Sequence, residues 1–384
     1  MQPVRLLILV RAVGLAVRRW ERIGALMTRV LLRGRESPRR RLKALLHTWL
    51  GACYAVLLQE YGVDHIHVHH GYFGSWIGMV AARLLGVSFS LTLHGSDLLL
   101  HGAYLDTKLE NCRFCITVSE YNRRYILEHF PAIDPQTIMV SRLGVEVREQ
   151  IGSSWNAGGS RRTFTLLAAG RLHAVKDHAF LILACARLRD RGVEFECVIA
   201  GEGPERQRLE RLIRENRLHD RVTLAGHAAR PRLDLLYRRA DVVVLTSRSE
   251  GIPLVLMEAM VRGGIVLAPA ITGIPEIVIP GKTGFLYAPG NLQDFVAKIL
   301  SIQKLMREED RNAVGRLDWI RQAARVQVLH NFSRGTNLTR FGDGFLGRIG
   351  NQDLAGLDFA KQDSARADFA GPDIANRDLA RVVS

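Results

Sequence analysis

Two carboxylates bracket an apolar run in the stretch EGIPLVLME, Glu250 to Glu258. A carboxylate accepts hydrogen bonds from hydroxyl groups, so two of them can grip separate hydroxyls of one ligand. On one continuous helix the pair would stand about 12 Å apart along the axis and about 80° apart around it, too far to meet on one small group. Pro253 points to another layout. It suits the first turn of a helix, where a missing N–H costs nothing. A helix is therefore predicted through LVLMEAMV, stopping at Gly263–Gly264. Glu250 then lies in the loop before that helix and Glu258 inside it. The N–H groups at the helix N-terminus suit an anion held between the two hydroxyl-binding groups. Sugar–phosphate–phosphate–ribose has that pattern.

Two other stretches agree. AAGRLHAVKD places Gly170 and Arg171 at a strand end and Lys176 five residues on. Two cations on a strand-to-helix loop suit a diphosphate, and Asp177 can cap the helix that follows. ITGIPEIVIPGKTGF gives a further Gly-rich turn, with Thr272 and Gly273 near a helix start. A single Lys or Glu after a strand is ordinarily just solvated. Three such sites at successive strand ends weaken that reading, because ligands of open α/β sheets bind beyond the carboxyl ends of the strands.

The elements that must position these residues follow from the hydrophobic pattern. From Asp64, short apolar runs alternate with helical stretches: HIHVHH, SFSLTLHG, FCITVSE and TIMVSRLGV. A Gly/Ser-rich linker follows, EQIGSSWNAGGSRR. The alternation resumes with TFTLLAAG, FECVIAG, RVTLAGH, DVVVLTS, GIVLAPA and GFLYA. Near-continuous apolar strands in repeated β–α units mean parallel sheets covered on both faces. The fold class is thus α/β: two Rossmann-like doubly wound domains facing a cleft, over residues 61–150 and 160–330. Residues 1–60 read as a basic helical segment, with VRLLILV the only strand candidate in it. Asp353, Asp358, Asp363, Asp368, Asp373 and Asp378 recur every five residues in a low-complexity tail over 346–384, too short for a self-supporting stack.

The chain of 384 residues carries a formal net charge of +15, which points to an anionic partner. Residues 1–50 hold twelve Arg and Lys against two Glu. Arg11, Arg18, Arg22, Arg29 and Arg33 follow a spacing of 7, 4, 7 and 4 that draws one stripe on a helix. That stripe is either a solvated face or a surface resting on anionic lipid. Nucleic acid is not expected as a partner: aromatics are 7% of the chain and no recognition motif is present. Five scattered cysteines fit a reducing cytoplasm better than a disulfide scaffold. Cys112 and Cys115 read as a chance pair at a helix–strand junction. No apolar run approaches the roughly 20 residues needed to span a bilayer.

GRLHAVKD, SRSEGIPLVLMEAMVRG and GIPEIVIPGKTGFLYAPG resemble the retaining nucleotide-sugar glycosyltransferases of family 4, which have the GT-B fold. Glu250 and Glu258 match the family's hallmark of two glutamates separated by seven residues. TLHGSD, from Thr92 to Asp97, and HVHHGYFGSWIGMVAARLLGV resemble the first domain of exopolysaccharide-type members. The resemblance covers roughly residues 60–300. It implies that Gly170, Arg171 and Lys176 hold the donor diphosphate and that Glu258 binds the ribose. Glu250 contacts the transferred sugar, beside Gly251, Ile252 and the turn at Gly273, and His94 faces that sugar from the first domain. The donor would be a UDP- or GDP-sugar. No Asp-x-Asp motif is present, so neither a bridging metal nor another cofactor is implied. His65, His67 and His69 share one strand face and read as packing, with His69 or His70 nearest the cleft.

Members of the family open with a strand and a Gly-rich loop that helps bind the acceptor. Here the first domain reads as shortened at that point. The expectation is a retaining, metal-independent hexosyltransferase acting on a lipid-linked or polysaccharide acceptor, peripheral on the cytoplasmic face of a membrane. The alternative is a degenerate, non-catalytic nucleotide-sugar-binding protein of the same fold.

Overall fold

A computed structural model describes residues 6–33, 36–100, 102–146, 163–309 and 315–350. The chain divides into two compact units, Met1–Ser141 with Leu338–Ser384, and Arg142–Asn337. The linker at 149–162 and the repeats from Asp353 lie outside the described residues.

The first unit opens with helices α1 (Leu6–Arg18), α2 (Trp20–Leu31) and α3 (Pro38–Leu58). Strand β1 (His65–His69), α4 (Phe73–Leu85), β2 (Ser88–Leu93), α5 (Ser96–Leu99) and α6 (Leu105–Glu110) follow. Then come β3 (Phe114–Thr117), α7 (Glu120–His129) and β4 (Ile138–Val140). The strands pair in parallel, in the order β1-β2-β3-β4. Ala12, Ile23, Leu26 and Val30 of the opening helices share one buried cluster with Val68, Leu91 and Cys115 of the sheet. Cys112 and Cys115 do sit at a helix–strand junction, as free thiols whose pKa burial pushes up.

Two readings of the opening segment are corrected. From Leu6 onward, VRLLILV is helix, not strand. A short apolar run has no period of its own; here Ile8, Ala12 and Leu15 recur at helical spacing on the side that meets the core. The arginines, moreover, do not form one stripe. Arg19 breaks the helix with φ −115° and ψ 34°. Arg11, Arg18 and Arg33 are exposed, but Arg29 is tied to Glu36 at 3.0 Å and Asp106 at 2.8 Å. Arg22 and Arg83 donate to each other's backbone carbonyls.

The second unit runs β5 (Phe164–Ala169), α8 (His178–Asp190), β6 (Phe195–Ala200), α9 (Arg206–Glu215), β7 (Val222–Gly226) and α10 (Arg230–Arg239). It continues with β8 (Val242–Val244), α11 (Leu254–Val261), β9 (Ile265–Pro269), α12 (Ile274–Ile277), β10 (Phe285–Tyr287), α13 (Leu292–Glu309) and α14 (Arg316–Asn331). Helix α15 (Arg334–Ile349) begins in this unit, and its residues from Leu338 on belong with the first. It also takes in the first residues of the stretch read as tail. The sheet is parallel in the order β10-β9-β8-β5-β6-β7. The chain therefore builds outward on one side of β5, then returns beside it at β8 and builds the other way. The loops after β5 and β8 flank this reversal, where open α/β sheets bind ligands. Helix α11 spans the predicted residues, with Pro253 as its N-cap and not its first helical residue.

Candidate active site

The loop after β5 is held by the loop after β6. Gly170 N–H donates to Ala200 O at 2.9 Å, and Leu172 N–H donates to Glu202 O at 2.8 Å. The approach is so close that a Cβ on Gly201 would stand 1.9 Å from Gly170 O, and one on Gly203 2.4 Å from Leu172 O. Only glycine fits there. The pair Gly201-x-Gly203 was missed in the sequence, although two glycines directly after a strand were the available signal.

Lys176 ends a short 3-10 turn, Ala174–Lys176. Asp177, in the left-handed region at φ 48°, caps α8 by accepting from Phe180 N–H at 3.4 Å. The loop after β8 ties itself to this turn. Arg248 N–H donates to Val175 O at 2.8 Å, and Thr246 Oγ1 donates to Lys176 O at 2.9 Å. Arg248 Nε reaches Asp177 Oδ2 at 2.7 Å. The result is contact between the two predicted groups: Lys176 Nζ stands 2.6 Å from Glu250 Oε1, with both side chains mostly buried. Residues 74 apart in the chain thus present one cation and one carboxylate side by side. Arg171, next to Gly170, is exposed.

Gly251 and Ile252 lead from Glu250 into α11, and Ile252 is buried. Glu258 lies in the second turn of that helix. Its Oε2 accepts from the Tyr237 hydroxyl at 2.8 Å. Tyr237 is fully buried in α10, and burial together with the neighbouring carboxylate raises its pKa, so it stays a donor. Arg262 lies over the Tyr237 ring at 5.1 Å, donates to Glu258 O at 2.7 Å and bonds Asp234 at 2.5 Å. Tyr237, Arg262 and Asp234 were not foreseen. Only Arg262, four residues after Glu258, left a trace at helical spacing.

Gly273 is the buried N-cap of α12, in the loop after β9. Before it, Thr272 adopts φ 44°. The hydroxyls of Thr272 and Ser247 are buried without a hydrogen-bond partner among the described residues. They stand after β9 and β8, the strand ends that carry Gly273 and Glu250.

His94 belongs to the first unit, at the end of β2. Its Nε2 is 3.3 Å from His69 Nδ1, and its ring centroid is 4.4 Å from that of His70. Buried Asp97 fixes the loop. It accepts from Gly95 N–H at 2.7 Å, from His94 N–H at 3.1 Å, and from Gly71 N–H of the loop after β1 at 2.9 Å. Lys108 of α6, itself buried, donates to Gly71 O at 2.7 Å and Tyr72 O at 3.1 Å. Burial first, then the neighbouring His70, lowers the His94 pKa to about 4 against the pull of Asp97. At neutral pH this imidazole is uncharged and can exchange hydrogen bonds with a sugar hydroxyl without bringing a charge.

The alternating histidines of β1 pack. Parallel pairing sets His65 opposite Ser88, His67 opposite Ser90 and His69 opposite Thr92. His65 bonds Ser88 and Ser90, each at 2.6 Å; His67 bonds Ser90 at 2.6 Å and Thr92 at 2.9 Å. Phe345 of α15 stands edge-on to His67 at 5.0 Å. Burial lowers His65 to about 4 and His67 to about 3.

Residues 8–149 match the family described as Glycosyltransferase Family 4, and residues 156–316 match the glycosyl transferases group 1. The chain is 31% identical over 206 residues to WcaL of Salmonella typhimurium, named as a colanic acid biosynthesis glycosyltransferase; the match covers 52% of this chain and 48% of that protein. The chain thus spans about half the length of these curated relatives. In fold it is similar to the crystal structure of a glycosyltransferase from Rickettsia africae, with a TM-score of 0.65 and 20% identity, over 83% of this chain and 84% of that one. It is also similar to Anabaena Alr3699/HepE, crystallised with UDP and glucose, with a TM-score of 0.63 and 20% identity, over 77% and 81%. The chain thus carries a Family 4 domain followed by a group 1 domain, in two parallel-sheet α/β units that resemble the structures of GT-B glycosyltransferases.

Proposed function

We propose that the protein is a retaining, metal-independent hexosyltransferase that takes its sugar from a UDP- or GDP-sugar. The acceptor is a lipid-linked or polysaccharide glycan of exopolysaccharide assembly, and the enzyme works peripherally at the inner face of a membrane. The observation that carries this is the pairing of Lys176 with Glu250 beside the sheet reversal, with Glu258 in the second turn of the helix that follows. The names of colanic acid and amylovoran relatives support the pathway class, and the UDP and glucose bound to the Anabaena protein support the donor class.

In this reading Arg171 and Lys176 receive the diphosphate, and Glu258, held by Tyr237, takes the ribose hydroxyls through its other oxygen. Glu250 holds hydroxyls of the sugar. Ser247 and Thr272, buried and without partners among the described residues, are further donors at the same strand ends. As the bond from the anomeric carbon to phosphate breaks, negative charge grows on the phosphate. Lys176, Arg171 and the N-terminus of α11 oppose it, and fixed charges aimed at a developing charge lower the barrier. The acceptor oxygen then bonds the anomeric carbon and passes its proton to the departing phosphate oxygen. No specific observation favours the alternative of a non-catalytic binder. The test is turnover of UDP- and GDP-sugars with a polyprenyl-linked glycan, the product's anomeric configuration read by NMR. Retention of configuration is expected; inversion, or absence of transfer with every donor, would overturn the proposal.

A further inference from the structure

Helix α1 is apolar on two opposite sides. Ile8, Ala12 and Leu15 pack into the first unit's core. Leu7, Val10, Val13 and Val17 face outward, exposed by 65%, 63%, 53% and 69%. A surface helix ordinarily turns a polar face to water, and one that is apolar all round is covered on both sides. Arg11 reaches Glu60 just beyond α3 at 4.0 Å, and Leu57 and Tyr61, near Glu60 in the chain, are 43% and 69% exposed. Beyond α1, Trp20 is 55% exposed.

The charges beside this surface select its cover. Arg11 and Arg18 are exposed and seven residues apart, as are Val10 and Val17, so a row of positive charge runs alongside a row of apolar groups. Residues 1–50 hold twelve Arg and Lys against two Glu. No described helix is long and apolar enough to cross a membrane; at 13 residues α1 measures about 20 Å against a hydrocarbon core of about 30 Å. A second copy of so basic a surface would repel it. We infer that α1 lies in the plane of an anionic lipid surface, with Leu7, Val10, Val13 and Val17 below the headgroups and Arg11 and Arg18 at phosphate level. This rests on the proposed function only for the membrane as the place of work. It differs from the arginine stripe expected from the sequence, because Arg22 and Arg29 are occupied inside the protein and the outward apolar row supplies the grip.

Flotation of the full chain with vesicles of phosphatidylcholine, with and without phosphatidylglycerol, tests this. Binding is expected with phosphatidylglycerol, together with a blue shift of tryptophan emission. The double variant Val10→Asp/Val17→Asp changes only exposed positions. It should keep its melting temperature and its donor-nucleotide affinity while vesicle binding falls at least tenfold. Arg11→Gln and Arg18→Gln should each weaken binding about fivefold at low salt. Undiminished vesicle binding by the folded Val10→Asp/Val17→Asp variant would overturn the inference. So would a wild-type chain that ignores both vesicles but forms a concentration-dependent dimer that the Asp variant lacks. Because donor affinity is measured in parallel, a wild-type chain that binds donor nucleotide but neither kind of vesicle counts against this inference alone.

Discussion

Tyr237 and Glu258 share one hydrogen bond of 2.8 Å, and that bond decides which carboxylate oxygen is left for a ligand. A phenol held protonated by burial cannot release Oε2, so Oε1 is the free acceptor. Tyr237→Phe removes the hydroxyl and keeps the ring under Arg262. We expect nucleoside-diphosphate affinity to fall by about 1.5–3 kcal/mol, the range of a hydrogen bond to a charged group. In calorimetry the 2′,3′-dideoxy nucleotide should lose less than the parent, because the ribose contact is then already missing. An equal loss for both nucleotides would mean that Tyr237 acts on the fold and not on Glu258. At this scale the sequence was informative where chemistry and loop position coincide, as at Lys176, Glu250 and Glu258. It was silent on Tyr237, which reaches Glu258 only because α10 packs beside α11. A buried tyrosine in an arginine-rich helix carries no periodic mark of such a contact.

Loops rather than helices set the geometry at the next scale up. Gly203→Ala would force a Cβ to within 2.4 Å of the Leu172 carbonyl, in the turn that leads to Lys176. Overpacking against backbone costs about 1–3 kcal/mol, and denaturant unfolding should show that loss. The other loop pair depends on Asp97, which gathers three backbone N–H groups from the ends of β1 and β2. Asp97→Asn turns one acceptor into a donor facing those groups. A loss of about 2–3 kcal/mol is expected from the buried donors left unpaired, with thermal unfolding as the measure; an unchanged melting temperature would contradict it. The strands were legible because their apolar runs are nearly unbroken, as parallel strands covered on both faces require. Helix α11 was legible from Pro253 before it and Gly263–Gly264 after it. The opening segment was legible as helical, but not which of its faces meets the core, because Leu6 to Val10 is too short a run to show its period. The break at Arg19 also carries neither proline nor glycine.

The histidines give the whole molecule a pH dependence whose sign follows from burial. His65, His67 and His94 titrate at about 4, 3 and 4 when folded, against 6.5 for a free imidazole. Below pH 6.5 the unfolded chain therefore binds more protons than the folded one, and stability falls as pH falls toward 4. At pH 5 these three sites alone should add about three protons to the uptake on unfolding. The slope of unfolding free energy against pH measures this, and a flat profile between pH 6.5 and 5 would mean that the histidine column is not buried in solution. In the second unit, Lys176 and Glu258 are proposed to hold the two ends of a nucleoside diphosphate. Calorimetric titration of UDP- and GDP-sugars into the chain and into its Lys176→Ala and Glu258→Ala variants tests it most directly. One donor should bind the wild type, and each variant, folded by its melting curve, should bind it weaker by about 1.5–3 kcal/mol, roughly ten- to a hundredfold. Unchanged affinity in both folded variants would contradict it.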